Sequence, residues 1–102
     1  MTIRLDNKVA LVTGGGSGIG ESISREFARA GAQVYVLDFN EASAQAVADS
    51  IRAEGAQAIS MKVDVSNQAE MLATVEKIVQ ASGRIDILVN NAGIAQVGNL
   101  EQ

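Results

Sequence analysis

Lys8-Val9-Ala10-Leu11-Val12-Thr13-Gly14-Gly15-Gly16-Ser17-Gly18-Ile19-Gly20 is the stretch on which the reading of this chain turns. Its first half, Lys8 to Thr13, is a continuous apolar run of strand length, the pattern of a strand covered on both faces in a parallel sheet. Its second half is a glycine cluster, and beyond it apolar residues recur at helical spacing. A glycine turn between a strand and an amphipathic helix lets the backbone bend sharply and approach a ligand closely. It also aims the helix N-terminus, the positive end of the helix dipole, at a negative group. A pyrophosphate suits such a turn; the alternative is a flexible glycine turn with no ligand.

Working outward, Gln33 to Asp38, Ala58 to Val65 and Ile85 to Asn90 are further Val-, Ile- and Leu-rich runs of strand length. Between them lie three stripes at helical spacing: Ile19, Ile23, Phe27 and Ala30; Ala44, Val47, Ala48 and Ile51; Leu72, Val75, Ile78 and Val79. Gly31, Gly55 and Gly83 each stand just past a stripe, where a left-handed residue ends a helix, and Asn40 and either Ser66 or Asn67 are candidate N-caps. The order is βαβαβαβ, an α/β chain with right-handed crossovers, which predicts a doubly wound parallel sheet of strand order 3-2-1-4. The ligand crevice is expected at the carboxyl ends of strands one and four. Strand four then forms an apolar edge, and the crossovers place two helices on one face of the sheet against one on the other, leaving that face under-covered.

Composition narrows the chemistry. The 102 residues contain neither cysteine nor histidine, which removes disulfides, thiol nucleophiles, imidazole bases and Cys/His metal sites. No metal ligand set is expected. Eight Lys plus Arg against twelve Asp plus Glu give a net charge of −4, so there is no basic footprint for nucleic acid or anionic lipid. The run Val9 to Val12 is too short for a signal-peptide core, and no apolar run reaches membrane-spanning length. A soluble, cytoplasmic protein is expected, with one domain over residues 1–102. Phe27, Phe39 and Tyr35 are the only aromatic residues, so aliphatic packing must hold the fold together.

Three nucleotide motifs compete for the glycine cluster. Gly15 to Gly20 has P-loop spacing, but Glu21 stands where the lysine must be. The Gly-x-Gly-x-x-Gly fingerprint started at Gly14 fails, because Ile19 occupies its third position. The match is to Thr-Gly-x-x-x-Gly-x-Gly. That pattern resembles the short-chain dehydrogenase/reductase family, as do Asp64-Val65 at the end of the third run and Asn90-Asn91-Ala92-Gly93 after the fourth. The resemblance implies a Rossmann-type fold and hydride transfer between a nicotinamide cofactor and an alcohol or carbonyl substrate. It implies that Gly14, Ser17, Gly18, Ile19 and Gly20 hold the cofactor pyrophosphate, Asp64 and Val65 the adenine, and Asn90, Ala92 and Gly93 the nicotinamide-side ribose.

Asp38 also follows from chemistry. It ends the second strand 18 residues after Gly20, close to the spacing at which a carboxylate accepts hydrogen bonds from the adenosine ribose and repels a 2′-phosphate. Phe39, not arginine, is its neighbour beside the cofactor, and Gly14 to Gly20 contains no cation. NAD is therefore expected over NADP. The plainer readings stay open: a strand-end or capping role for Asp38, a cap for Asp64, and a strand-to-loop turn for Asn90 and Asn91. Glu21 with Arg25 and Glu26 with Arg29 are spaced as helical charge pairs.

The departures matter as much. The family uses a serine and Tyr-x-x-x-Lys downstream of Asn-Asn-Ala-Gly in chains more than twice as long; here the only tyrosine is Tyr35, and four residues on stands Phe39. No catalytic residue is assigned, the catalytic C-terminal part is expected to be missing from these residues, and the chain alone is expected to be inactive. Two other readings remain. Gly14, Gly16 and Gly18 also satisfy the Gly-x-Gly-x-Gly of S-adenosylmethionine-dependent methyltransferases, although Val12 stands where those folds carry an acid. A non-catalytic nucleotide-binding or assembly module is the other. The expected partners are a dinucleotide, an alcohol or carbonyl substrate only in a full-length parent, and self-association or a covering chain at strand four.

Overall fold

The structure is a computed structural model that describes residues 3–91. Its elements follow in the order β1 (Val9–Thr13), α1 (Gly18–Arg29), β2 (Gln33–Asp38), α2 (Glu41–Ala53), β3 (Gln57–Lys62), α3 (Gln68–Ser82) and β4 (Ile87–Asn90). The strands form one parallel sheet of order β3-β2-β1-β4, as the alternation of runs and stripes predicts. All five residues of β1 are buried, because a central strand has a neighbour on each side and helices on each face.

The side-chain alternation of β1 divides the core in two. On one face Val12, Val34, Val36 and Ala58 pack against Ala28 of α1 and Ala44, Val47, Ala48 and Ile51 of α2. On the other, Val9, Leu11, Tyr35, Leu37 and Val63 pack against Ile78 of α3. Helix ends follow local chemistry. Asn40 and Asn67 are N-caps whose side chains accept from the amides of Ser43 (3.1 Å) and Glu70 (3.0 Å). Gly31, Gly55 and Gly83 take φ of 105°, 90° and 81° beyond the helix ends, the left-handed conformation that glycine adopts without penalty.

Two expected helix faces are corrected. In α1 the sheet-facing positions are Gly20, Ser24 and Ala28, with Ile23 and Phe27 flanking them, and Ile19 is 71% exposed. Small residues let the helix sit close to β1, so its apolar residues are displaced to the flanks and the start. In α3 the buried residues are Thr74 and Ile78, while Leu72 is 61% exposed and Val79 is exposed too. A single helix on that face has no neighbour to cover those two, and they are not core.

Two strand boundaries also shift. β3 stops at Lys62 rather than reaching Val65: the amide of Val63 makes a last bond to the Asp38 carbonyl (3.1 Å), and Asp64 then enters a turn closed by the Asn67 amide on its carbonyl (3.0 Å). β4 begins at Ile87 rather than Ile85. Its approach is fixed by Asp86, whose amide donates to the Val9 carbonyl (2.8 Å) while its carboxylate accepts from the Val9 amide (2.8 Å). Arg84 also bonds this carboxylate (2.6 Å) and, with the Val9 amide, holds it below the usual aspartate range. No helix among the described residues is long and apolar enough to cross a membrane.

Candidate functional site at the carboxyl edge of the sheet

Four parallel strands deliver their carboxyl ends to one edge, and the fingerprint residues collect there in the order of the strands. After β1 the chain turns at Gly14 (φ 64°), runs through buried Gly15 and Gly16, and starts α1 at an exposed crest of Ser17, Gly18 (φ 55°) and Ile19. The loop is tied down on both sides. Gly15 donates its amide to the Leu37 carbonyl (3.1 Å), extending the β1–β2 pairing, and Gly16 donates to Asp38 Oδ2 (3.0 Å). From the β4 side, Asn91 Nδ2 donates to the Gly14 carbonyl (3.3 Å), and Thr13 Oγ1 donates to the Val89 carbonyl (3.2 Å). Thr13 Oγ1 also lies 3.3 Å from Asn90 Oδ1.

Gly20 is required for close approach: a Cβ there would overlap the Gly14 carbonyl oxygen. The start of α1 differs from those of α2 and α3, because its N-cap Ser17 makes no side-chain capping bond. The loop therefore sets an exposed helix start, with its amide dipoles, beside the carboxylate of Asp38.

Asp38 is half-buried at the end of β2, with Oδ2 on the Gly16 amide and Oδ1 on the Asn40 amide (2.9 Å). The cap of α2 is Asn40, so Asp38 is not the capping residue. Phe39 is exposed, and Lys62, paired with Asp38 in register, sets its Nζ 5.6 Å from the Phe39 ring centroid. Asp64 and Val65 follow β3. The Asp64 carboxylate accepts from the hydroxyl (2.6 Å) and amide (3.0 Å) of Ser66, which hold it below the ordinary aspartate value. Its own amide donates to Glu70 (2.9 Å). Asp64 closes a local turn, while Asn67 caps α3. Val65 also packs against the core on the α3 side. Ala92 and Gly93 lie outside the described residues.

The sequence motifs contain Thr13, Gly16 and Asn91 but assign them no contact, and Lys62 lies outside the motifs. Thr13 and Asn91 fasten the loop to β4, Gly16 fastens it to Asp38, and Lys62 stands across the strand pair from Asp38. The pairing of Asp38 with Lys62 was recoverable from the strand order and register; the Gly16 contact was not. Cavities of about 470 and 230 Å3 open at the opposite, amino edge, lined by residues such as Arg4, Arg29 and Gln57 in the first and Lys8 and Arg84 in the second. None of the fingerprint residues lines either one.

Parallel order, glycine loop and edge carboxylate together define a Rossmann-type nucleotide-binding architecture. The family described as short chain dehydrogenase matches residues 8–102, and the chain belongs to that family. It is 44% identical over 91 residues to a 7alpha-hydroxysteroid dehydrogenase of Escherichia coli K12, covering 89% of this chain and 36% of that protein. An uncharacterized oxidoreductase of Thermotoga maritima is 41% identical over 100 residues, covering 98% of this chain and 39% of the relative. The fold superposes on a hydroxysteroid dehydrogenase structure from Escherichia coli with a TM-score of 0.83 at 42% identity, covering 85% of this chain and 37% of that one. A 7 alpha-hydroxysteroid dehydrogenase complexed with NADH and 7-oxo glycochenodeoxycholic acid gives the same TM-score and identity, covering 87% of this chain and 35% of that one. The chain thus spans little more than a third of the length of the relatives it matches.

Proposed function

We propose that this chain is the NAD-binding portion of a short-chain dehydrogenase/reductase that transfers hydride between the cofactor and an alcohol or carbonyl substrate. The observation that carries the reading is the uncapped start of α1, set by Gly14 and Gly20 directly beside Asp38. Its residues fit a dinucleotide. Ser17, Gly18 and Ile19 offer an exposed helix start to a pyrophosphate, and Gly14 and Gly20 keep Cβ atoms out of the close approach. Asp38 lies where it would accept hydrogen bonds from an adenosine ribose and repel a 2′-phosphate, Phe39, Asp64 and Val65 flank the adenine side, and Asn90 stands on the nicotinamide side. A nicotinamide dinucleotide bound there supplies the hydride donor or acceptor; this chain's residues bind it and orient it.

The chain carries no Tyr-x-x-x-Lys pair to move the proton. Tyr35, its only tyrosine, is buried, with its hydroxyl 2.6 Å from Ser82 Oγ in the core. Losing general acid–base catalysis costs about 10²- to 10⁴-fold, so the 102 residues alone should show no alcohol-dependent reduction of NAD. In this reading another polypeptide or copy covers β4 and the α3 face, where Leu88 is 58% exposed. The test is equilibrium binding of NADH and NADPH to the chain. NADH should bind the more tightly, and Asp38→Ala should narrow the difference; equal affinities in the unmodified chain would refute the assignment.

A further inference from the structure

Gly16 is buried between the end of β2 and the first turn of α2. Unlike Gly14 and Gly18, it does not have a positive φ, so no left-handed conformation demands glycine there. Its neighbours are what exclude a side chain. A Cβ at Gly16 would stand 2.9 Å from Asp38 Oδ2, 2.9 Å from the Ala44 amide nitrogen and 2.9 Å from Ser43 Cβ, all inside ordinary van der Waals contact. The same residue donates its amide to Asp38 Oδ2 at 3.0 Å, while the Asn40 amide takes Oδ1 at 2.9 Å. Each carboxylate oxygen therefore holds one backbone amide, one from the glycine loop and one from the approach to α2, which fixes the rotamer from two sides.

We propose that Gly16 is a positioning residue for cofactor selection: its bare Cα and its amide hold the Asp38 carboxylate in the orientation that accepts ribose hydroxyls and opposes a 2′-phosphate. The proposal rests on the reading of the site as NAD-preferring. A methyl group at Gly16 meets two partners that are fixed, the α2 backbone and Ser43 Cβ, and one that can swing, the Asp38 side chain. Swinging the carboxylate relieves only one of these three contacts, so the loop must also shift away from α2, and either movement breaks the bond from the Gly16 amide to Asp38. Affinity for NADH then falls, while the electrostatic barrier to NADPH falls too, because the charge is no longer held in place.

The test is the pair of dissociation constants for NADH and NADPH, read from nicotinamide fluorescence, for the unmodified chain, Gly16→Ala, Asp38→Ala and the double variant. Gly16→Ala should narrow the NADH-to-NADPH affinity ratio by about tenfold, the lower end of the scale of one charge-assisted hydrogen bond. In the Asp38→Ala background it should change the ratio no further, since the two substitutions share one interaction. A loop merely loosened would weaken both cofactors in proportion and leave the ratio intact, which overturns the proposal. An unmodified chain that binds neither cofactor, or both equally, overturns the proposed function and this inference with it; a chain that prefers NADH, with an unaltered ratio in Gly16→Ala, overturns the inference alone. Should Gly16→Ala fail to fold, the Gly16 amide proton of the unmodified chain reads the same contact. Its chemical shift should move upfield in Asp38→Ala, which removes the acceptor; an unmoved shift overturns the proposal.

Discussion

The three helices begin in two different ways. α2 and α3 start as isolated helices prefer to, each with an asparagine side chain on the amide three residues on, a device for stability. α1 starts with Ser17 exposed and making no side-chain capping bond, on a glycine loop held from beneath by Thr13, Asp38 and Asn91. One kind of start is closed by its own side chain; the other is held open by its surroundings. The difference teaches that the polar contacts at α1 place the loop rather than satisfy the helix, the arrangement that the proposed dinucleotide site needs.

That contrast can be broken most severely at Gly20. Replacing it with alanine forces a Cβ into the Gly14 carbonyl and should cost about 3 kcal/mol of stability, the upper range of overpacking. Dinucleotide binding should fall by more than about 100-fold, which a urea melt and a binding isotherm would check; wild-type behaviour in both would mean that the loop is not under the constraint described.

Helix starts of the two kinds should respond in opposite ways to alanine. Asn67→Ala removes a working cap and should lower stability by about 1 kcal/mol, leaving dinucleotide affinity unchanged. Ser17→Ala should leave stability within about 0.5 kcal/mol while weakening the dinucleotide. Equal losses of stability would erase the distinction.

The smallest effect is electrostatic and belongs to the start of α3. Ser66 lowers the folded value of Asp64 below its ordinary one, so the contribution of this group to stability is present above about pH 3.9 and is lost as pH falls through the lower folded value. An NMR titration should find Asp64 ionising below the ordinary aspartate value, and Ser66→Ala should raise it. An ordinary value in the unmodified chain would remove the turn contacts from the account.

Much of this was legible in the residues. Apolar runs betrayed all four strands, of which only the central β1 and β2 are buried while β3 and β4 are half-exposed edges, and the glycines at 31, 55 and 83 marked the helix ends, because each signal is local. The helix faces were less legible. Gly20, Ser24 and Ala28 carry little hydrophobic signal, yet they face the sheet because α1 must lie close to β1; Ile19 carries a strong signal and is exposed. Leu72 and Val79 misled for the complementary reason, since apolar residues on a helix with no neighbour need not be core. At the candidate site, the position of the loop and of Asp38 at neighbouring strand ends could be read from motif and spacing. The Gly16 amide on Asp38 and the Asn91 side chain on Gly14 arise only when three strand ends meet.

The most direct test of the central claim is a titration of the chain with NADH followed residue by residue through backbone amide shifts. The open start of α1 predicts saturable shifts at Gly14 to Gly20, at Asp38 and Asn40 and at Asp64 and Val65, with the amino edge around Gly31 and Gln57 unmoved. Shifts confined to the amino edge around Gly31 and Gln57, or none at Ser17 to Gly20 at saturating NADH, would contradict it.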